Sequence, residues 1–143
     1  MNEPLHTAFL KKIVNHPNAN PDITGTLGKV KTVRKSVSRG VFMIYVVRKK
    51  SARVEMWIYR GSKPQQVDEA KDLHHHFRSK REAIESAFGE ELNWDHGRRK
   101  TAFSIQHDYD TFLLEDTASW NKWADIMVAD MNRLHAALQP HYL

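Results

Sequence analysis

The chain contains no cysteine. That removes disulfides, thiolate metal ligands and a thiol nucleophile together, and it suits a reducing cytoplasm. Long hydrophobic runs are missing too. The longest, Val41 to Val47, falls far short of the roughly 20 apolar residues that a membrane-spanning helix needs. The start Met1-Asn2-Glu3-Pro4 has no basic stretch leading into an apolar one, so no signal peptide is expected. Neither a Gly-x-Ser-x-Gly elbow, nor a Walker loop, nor a Gly-rich dinucleotide fingerprint occurs. These absences predict a soluble, cytoplasmic protein with no membrane partner and no bound cofactor.

The most informative shortage is of acid in the first half. Between Lys29 and Arg53 stand nine basic residues and no acidic one. Residues 1–60 carry 12 lysines and arginines against three acids, whereas residues 61–143 carry 10 against 14. The net charge of +5 therefore conceals two oppositely charged halves. Such segregation points to a polyanionic partner. The alternative is a solvated face whose lysines keep an edge strand from pairing with other chains.

What is present is ordinary for one globular domain: 143 residues, 41% hydrophobic and 27% charged. Leu5, Phe9, Ile13 and Val14 recur at helical spacing, and the turn-rich run from Asn15 to Asp22 ends that helix. Residues 1–28 thus read as a helix and loop, either packed on the domain or left as a mobile arm, since nothing local anchors them. Strands follow at 29–37, 41–47 and 54–59, with turns at Ser38-Arg39-Gly40 and Arg48-Lys49-Lys50-Ser51. Pro64 opens a helix whose stripe Ala70, Leu73, Phe77, Ile84 and Phe88 is interrupted only by Lys80 and Arg81, with Gly89 as its stop. Leu92–Trp94 and Thr101–Ile105 read as two strands joined at Gly97, and an acidic, irregular loop spans 108–115. The last helix, 117–138, is capped by Asp116 or Thr117 and carries Trp120, Trp123, Met127, Met131, Leu134 and Leu138 on one stripe. The expected fold is a single α+β domain over residues 1–143. An antiparallel sheet of about five strands has the helices 64–88 and 117–138 packed on one face, plus a short N-terminal helix.

Candidate chemistry is thin. His74-His75-His76 fan out by about 100° per residue on a helix and cannot converge on one ion, and no histidine pair has the i, i+3 or i, i+4 spacing of helical metal ligands. No metal site and no catalytic residue is assigned. Glu85, Glu90 and Glu91 near a helix end oppose the helix dipole, and solvent exposure is the expected reason they are tolerated. Trp57 and Tyr59 share a strand face with Glu55, either packed beneath a helix or open to stack on bases.

Two resemblances bear on function. The order helix, three antiparallel strands, helix, strand resembles the core of the Asp…(Asp/Glu)-x-Lys nucleases, which hold a divalent cation on acids of the second and third strands. Here Val41 to Val47 holds no acid, and Glu55-Met56-Trp57 has tryptophan where lysine belongs, so a divergent metal-dependent nuclease is the weaker alternative. The string Ile84-Glu85-x-x-Phe88-Gly89-x-x-Leu92-x-Trp94, with Lys71 and Phe77 upstream and Arg53-Val54-Glu55-Met56-Trp57-Ile58-Tyr59 before it, resembles a prokaryotic family of domains of unknown function. Where that family tends to show Ser-Arg-Ile, this chain has Ala102-Phe103-Ser104-Ile105. The resemblance spans roughly residues 40–138 and implies an accessory module, often C-terminal to nuclease-like or defence-associated proteins.

The expectation is a non-catalytic module that contacts nucleic-acid phosphates through its basic β-meander. The assigned residues are Lys31, Arg34, Lys35, Arg39, Arg48, Lys49 and Lys50, with the turn residues Arg98, Arg99 and Lys100. The alternative is a protein-interaction or homodimerising module using the tryptophan-bearing last helix or a sheet edge.

Overall fold

Alternating side chains decide how the sheet sits. The computed structural model describes residues 4–28, 31–95 and 101–142. Five strands, β1 (Thr32–Ser38), β2 (Val41–Val47), β3 (Ala52–Ile58), β4 (Asn93–Asp95) and β5 (Phe103–Tyr109), form one antiparallel sheet in the order β1-β2-β3-β5-β4. Cross-strand register puts Lys35, Met43, Met56, Ile105 and Trp94 in one row, and Arg34, Ile44, Glu55, Gln106 and Asn93 in the next. Successive rows face opposite ways. Val41, Met43, Tyr45 and Val47 of β2, with Val54, Met56 and Ile58 of β3, therefore meet the helices and form the core.

Four helices lie on that side: α1 (Leu5–Val14), α2 (Pro64–Arg78), α3 (Arg81–Phe88) and α4 (Trp120–Leu138). From α2, Ala70, Leu73 and Phe77 are buried, and the buried His74 ring donates from Nε2 to the Ser104 carbonyl at 3.1 Å. From α4, Met127, Val128, Met131 and Leu134 are fully enclosed. Together these confirm the α+β architecture with the long helices on one face.

Three boundaries differ from expectation. The helix predicted over 64–88 is two helices. The Ser79 hydroxyl donates to the His76 carbonyl at 2.6 Å, and Lys80 leaves helical geometry at φ −107°. The gap in the stripe at Lys80 and Arg81 is the cause: α2 covers the sheet while α3 turns to pack Ile84 and Phe88 against α4. One straight helix cannot do both. Strand β5 runs on to Tyr109, because Gln106 to Tyr109 pair with Ala52 to Glu55, so the acidic loop is shorter than predicted. The last helix is preceded by a 3-10 turn at Thr117–Ser119.

Gly89 ends α3 at φ +100°, the left-handed conformation that glycine adopts without a Cβ penalty. Arg133 of α4 completes that end by donating to the Phe88 carbonyl at 2.6 Å and stacking 4.7 Å from the Phe88 ring centre.

The first helix finds its anchor in tertiary structure. Phe9 and Ile13 are fully buried, Phe9 meeting Phe112 and Trp120 edge-on at 5.2 and 5.5 Å. Outside that contact Lys12 donates to Asn121 at 3.0 Å, and His16 lies 2.7 Å from Asp125. Among the described residues, no helix is long and apolar enough to cross a membrane.

Candidate binding face of the sheet

The face of the sheet away from the helices carries no covering element among the described residues. Ile44 and Val46 are nevertheless buried there, at 2% and 7% exposure. Long side chains do the covering: Arg34, Arg48, Arg53 and Trp57 line a shallow depression of about 150 Å³ around the two aliphatic residues. The apolar stems of the exposed Arg34 and Arg48 shield the aliphatics, while Arg53 turns its guanidinium to Glu55. Arg34 also lies 5.9 Å from the centre of the half-buried Phe42 ring. Trp57 is half-buried on this same face, not beneath a helix.

Toward β5 and β4 the face turns polar. Glu55 is 1% exposed, and its carboxylate is 3.2 Å from the Arg53 guanidinium and 2.7 Å from the Ser104 hydroxyl. Ser104 also lies 2.8 Å from Gln106 Oε1, and the Gln106 amide donates to Asp108 at 2.8 Å. Asn93 reaches the other Asp108 oxygen at 3.2 Å. The Arg53 guanidinium offsets the buried Glu55 charge in place, and the single Ser104 proton serves either Glu55 or Gln106. The result is a graded surface: cationic with aromatic rings over β1 to β3, hydrogen-bonding and acidic over β5 and β4.

The assigned basic residues divide into groups. Lys31, Arg48 and Lys49 line one hollow at the end of the β1–β2 hairpin, and Lys50 belongs to the same exposed turn. Arg34 stands on the open face beside Arg48. Lys35 is set apart, exposed on the helix side of edge strand β1 opposite Met43. Arg39 is at the far turn, 3.8 Å from Glu69, which also draws Arg60 to 3.5 Å. Arg98, Arg99 and Lys100, with the Gly97 turn, lie outside the described residues.

Two carboxylates hold structural networks, and one of them departs from expectation. Glu85, predicted to be tolerated through exposure, accepts from the Leu92 N–H, the Trp94 indole and Arg81. Burial penalises its charge, but those donors outweigh it and hold its pKa below the usual carboxylate range. Asp130, on the helix side, is buried and takes the Tyr109 hydroxyl at 2.6 Å and the Arg133 guanidinium. His107 stands 3.8 Å from Asp130 and 3.7 Å from Glu90. Burial first, and Asp130 second, push the Tyr109 hydroxyl far up. This cluster ties β5 to α4 and to the end of α3.

Among the described residues no group of three or more His, Asp or Glu side chains is arranged to hold a metal ion. On the last helix, Trp120 is buried with its indole donating to the Leu114 carbonyl, and Trp123 packs on Tyr109 and Phe112. Sequence reasoning named neither Arg53 as a face residue nor His6 and Thr32 at the hairpin end. Period-two alternation from Glu55 and Trp57 places Arg53; no local signal places the other two.

The fold and this face define a class: an α+β domain with one helical layer on an antiparallel sheet and a charged, aromatic-bearing face that no described element covers. The chain belongs to the DUF4268 family of domains of unknown function, whose model matches residues 32–142. No curated protein matches it. Among solved structures it is similar to YbjN of E. coli, a proposed transcription regulator, at 10% identity over 95% of this chain and 94% of that one, with a TM-score of 0.38. That likeness is too loose to inform function.

Proposed function

We propose that the domain is a non-catalytic module that binds nucleic acid across its open sheet face and the adjoining hairpin end. The observation that carries this reading is the placement of the exposed Arg34 and Arg48 near Trp57 on a sheet face that no described element covers. Guanidinium groups beside aromatic rings supply the two contacts such ligands use, charge on phosphate and stacking on bases. Lys31, Lys49 and Lys50 extend the cationic track past the sheet end. Lys35 and Arg39 lie off that track and serve as weaker, peripheral contacts. The hydrogen-bonding half over Gln106, Asp108 and Asn93 faces base edges.

In this role the domain works as an accessory to nucleic-acid processing or defence proteins, in keeping with the company its family resemblance implies. The test is a titration of labelled oligonucleotide at two salt concentrations. Four duplex-phosphate contacts weaken binding roughly hundredfold between about 50 and 200 mM salt. No binding at the lower salt, or the same affinity at both, removes the proposal.

A further inference from the structure

The hollow at the hairpin end has properties that a phosphate track alone does not require. His6, Lys31, Thr32, Arg48 and Lys49 line it, its volume is about 410 Å³, and none of the lining residues is acidic. Two of its polar atoms, His6 Nε2 and Thr32 Oγ1, are shut off from solvent and have no hydrogen-bond partner. Buried polar atoms in folded proteins are nearly always satisfied, and each exception calls for a cause. Lys31, Arg48 and Lys49 form no ion pair with a carboxylate among the described residues. His6 sits in the first turn of the ten-residue α1, where the helix dipole is positive. Burial, followed by Lys31 and Lys49, lowers the His6 pKa. Lys31, Arg48 and Lys49 thus share the hollow with no carboxylate in its lining.

We propose that this hollow is a site for a phosphoryl group carried as a monoester or as free phosphate. Lys31, Arg48 and Lys49 neutralise the charge and donate to its oxygens. A monoester fits better than a backbone diester, because it offers three terminal oxygens and up to two charges where a diester offers two oxygens and one. A nucleic-acid strand supplies such a group only at its end. The hollow shares three cations with the open-face reading but does not depend on it.

The experiment compares single-stranded oligonucleotides ending in a phosphate or a hydroxyl, at the 5′ and the 3′ end, alongside calorimetry with inorganic phosphate. It uses the wild type, Lys31→Ala, Lys49→Ala and Thr32→Val, with Lys71→Ala on exposed α2 surface as control. The expected result is that one phosphorylated end binds about tenfold tighter than its hydroxyl counterpart, the yield of one or two charge-assisted hydrogen bonds. That advantage disappears in Lys31→Ala and Lys49→Ala and persists in Thr32→Val and Lys71→Ala. Inorganic phosphate binding without oligonucleotide binding keeps the hollow as a free-phosphate site and removes the nucleic-acid reading. Phosphorylated and hydroxyl ends that bind alike, with no heat from inorganic phosphate, overturn the hollow and leave the open-face reading standing.

Discussion

One Glu85 oxygen accepts both the Trp94 indole N–H, at 3.2 Å, and the Leu92 backbone N–H, at 2.6 Å. The other oxygen takes Arg81 at 3.0 Å. The carboxylate thereby pins the chain just after α3 to the start of edge strand β4, and Trp94 packs 6.0 Å from the buried His74 ring. Glu85→Ala leaves a backbone N–H and an indole N–H unpaired in partly buried positions. The expected cost is about 2–3 kcal/mol, read by denaturant unfolding.

The same residue gives a pH dependence with a definite sign. Its folded pKa is lowered, so its contribution is fully present above the unfolded carboxylate value of about 4.3 and is lost as pH falls through the folded one. The stability gap between wild type and Glu85→Ala therefore narrows below about pH 4. A gap that widens in acid contradicts the assigned contacts.

Asp130 is the other structural carboxylate. Tyr109→Phe removes one of its donors while Arg133 remains, and costs about 1–2 kcal/mol. Asp130→Ala leaves a buried hydroxyl without an acceptor and costs more, about 3 kcal/mol. A double-mutant cycle between Tyr109 and Asp130 is expected to show coupling of about 1 kcal/mol or more. Because the Tyr109 pKa is raised, stability is intact below the unfolded tyrosine value of about 10 and declines as pH climbs above it.

Gly25 is fixed by close approach. A Cβ there would lie 1.8 Å from the Arg34 carbonyl oxygen, which is backbone on strand β1. Gly25→Ala must push the N-terminal loop away and is expected to cost about 1–3 kcal/mol. Thermal melts check this, and an unchanged Tm means the loop does not rest on β1.

How much of this was legible in the sequence follows the range of the forces involved. The β-branched and aromatic run Val41–Val47 and the alternation in Val54–Tyr59 marked strands, and the Trp120-to-Leu138 stripe marked the last helix, because both are local records of burial. Lys80 and Arg81 marked the break between α2 and α3, but choosing a break over a covered edge needs the position of α4. The roles of Glu85 and Asp130 depend on partners in other elements, so neighbouring residues could not reveal them. The basic run from Lys29 to Arg53 was plain as composition. Its division into an open-face group, a hairpin-end group and the outlying Lys35 and Arg39 depends on strand register, which charge counting does not contain.

The most direct measurement is the slope of log affinity against log salt for an oligonucleotide, compared between wild type and the triple variant Arg48→Ala, Lys49→Ala, Lys50→Ala. Wild type is expected to bind at low salt with a steep negative slope. In the variant the slope is shallower by about 2–3, roughly one for each phosphate that is no longer neutralised. Equal slopes for the two proteins, or no binding by the wild type at low salt, contradict this expectation.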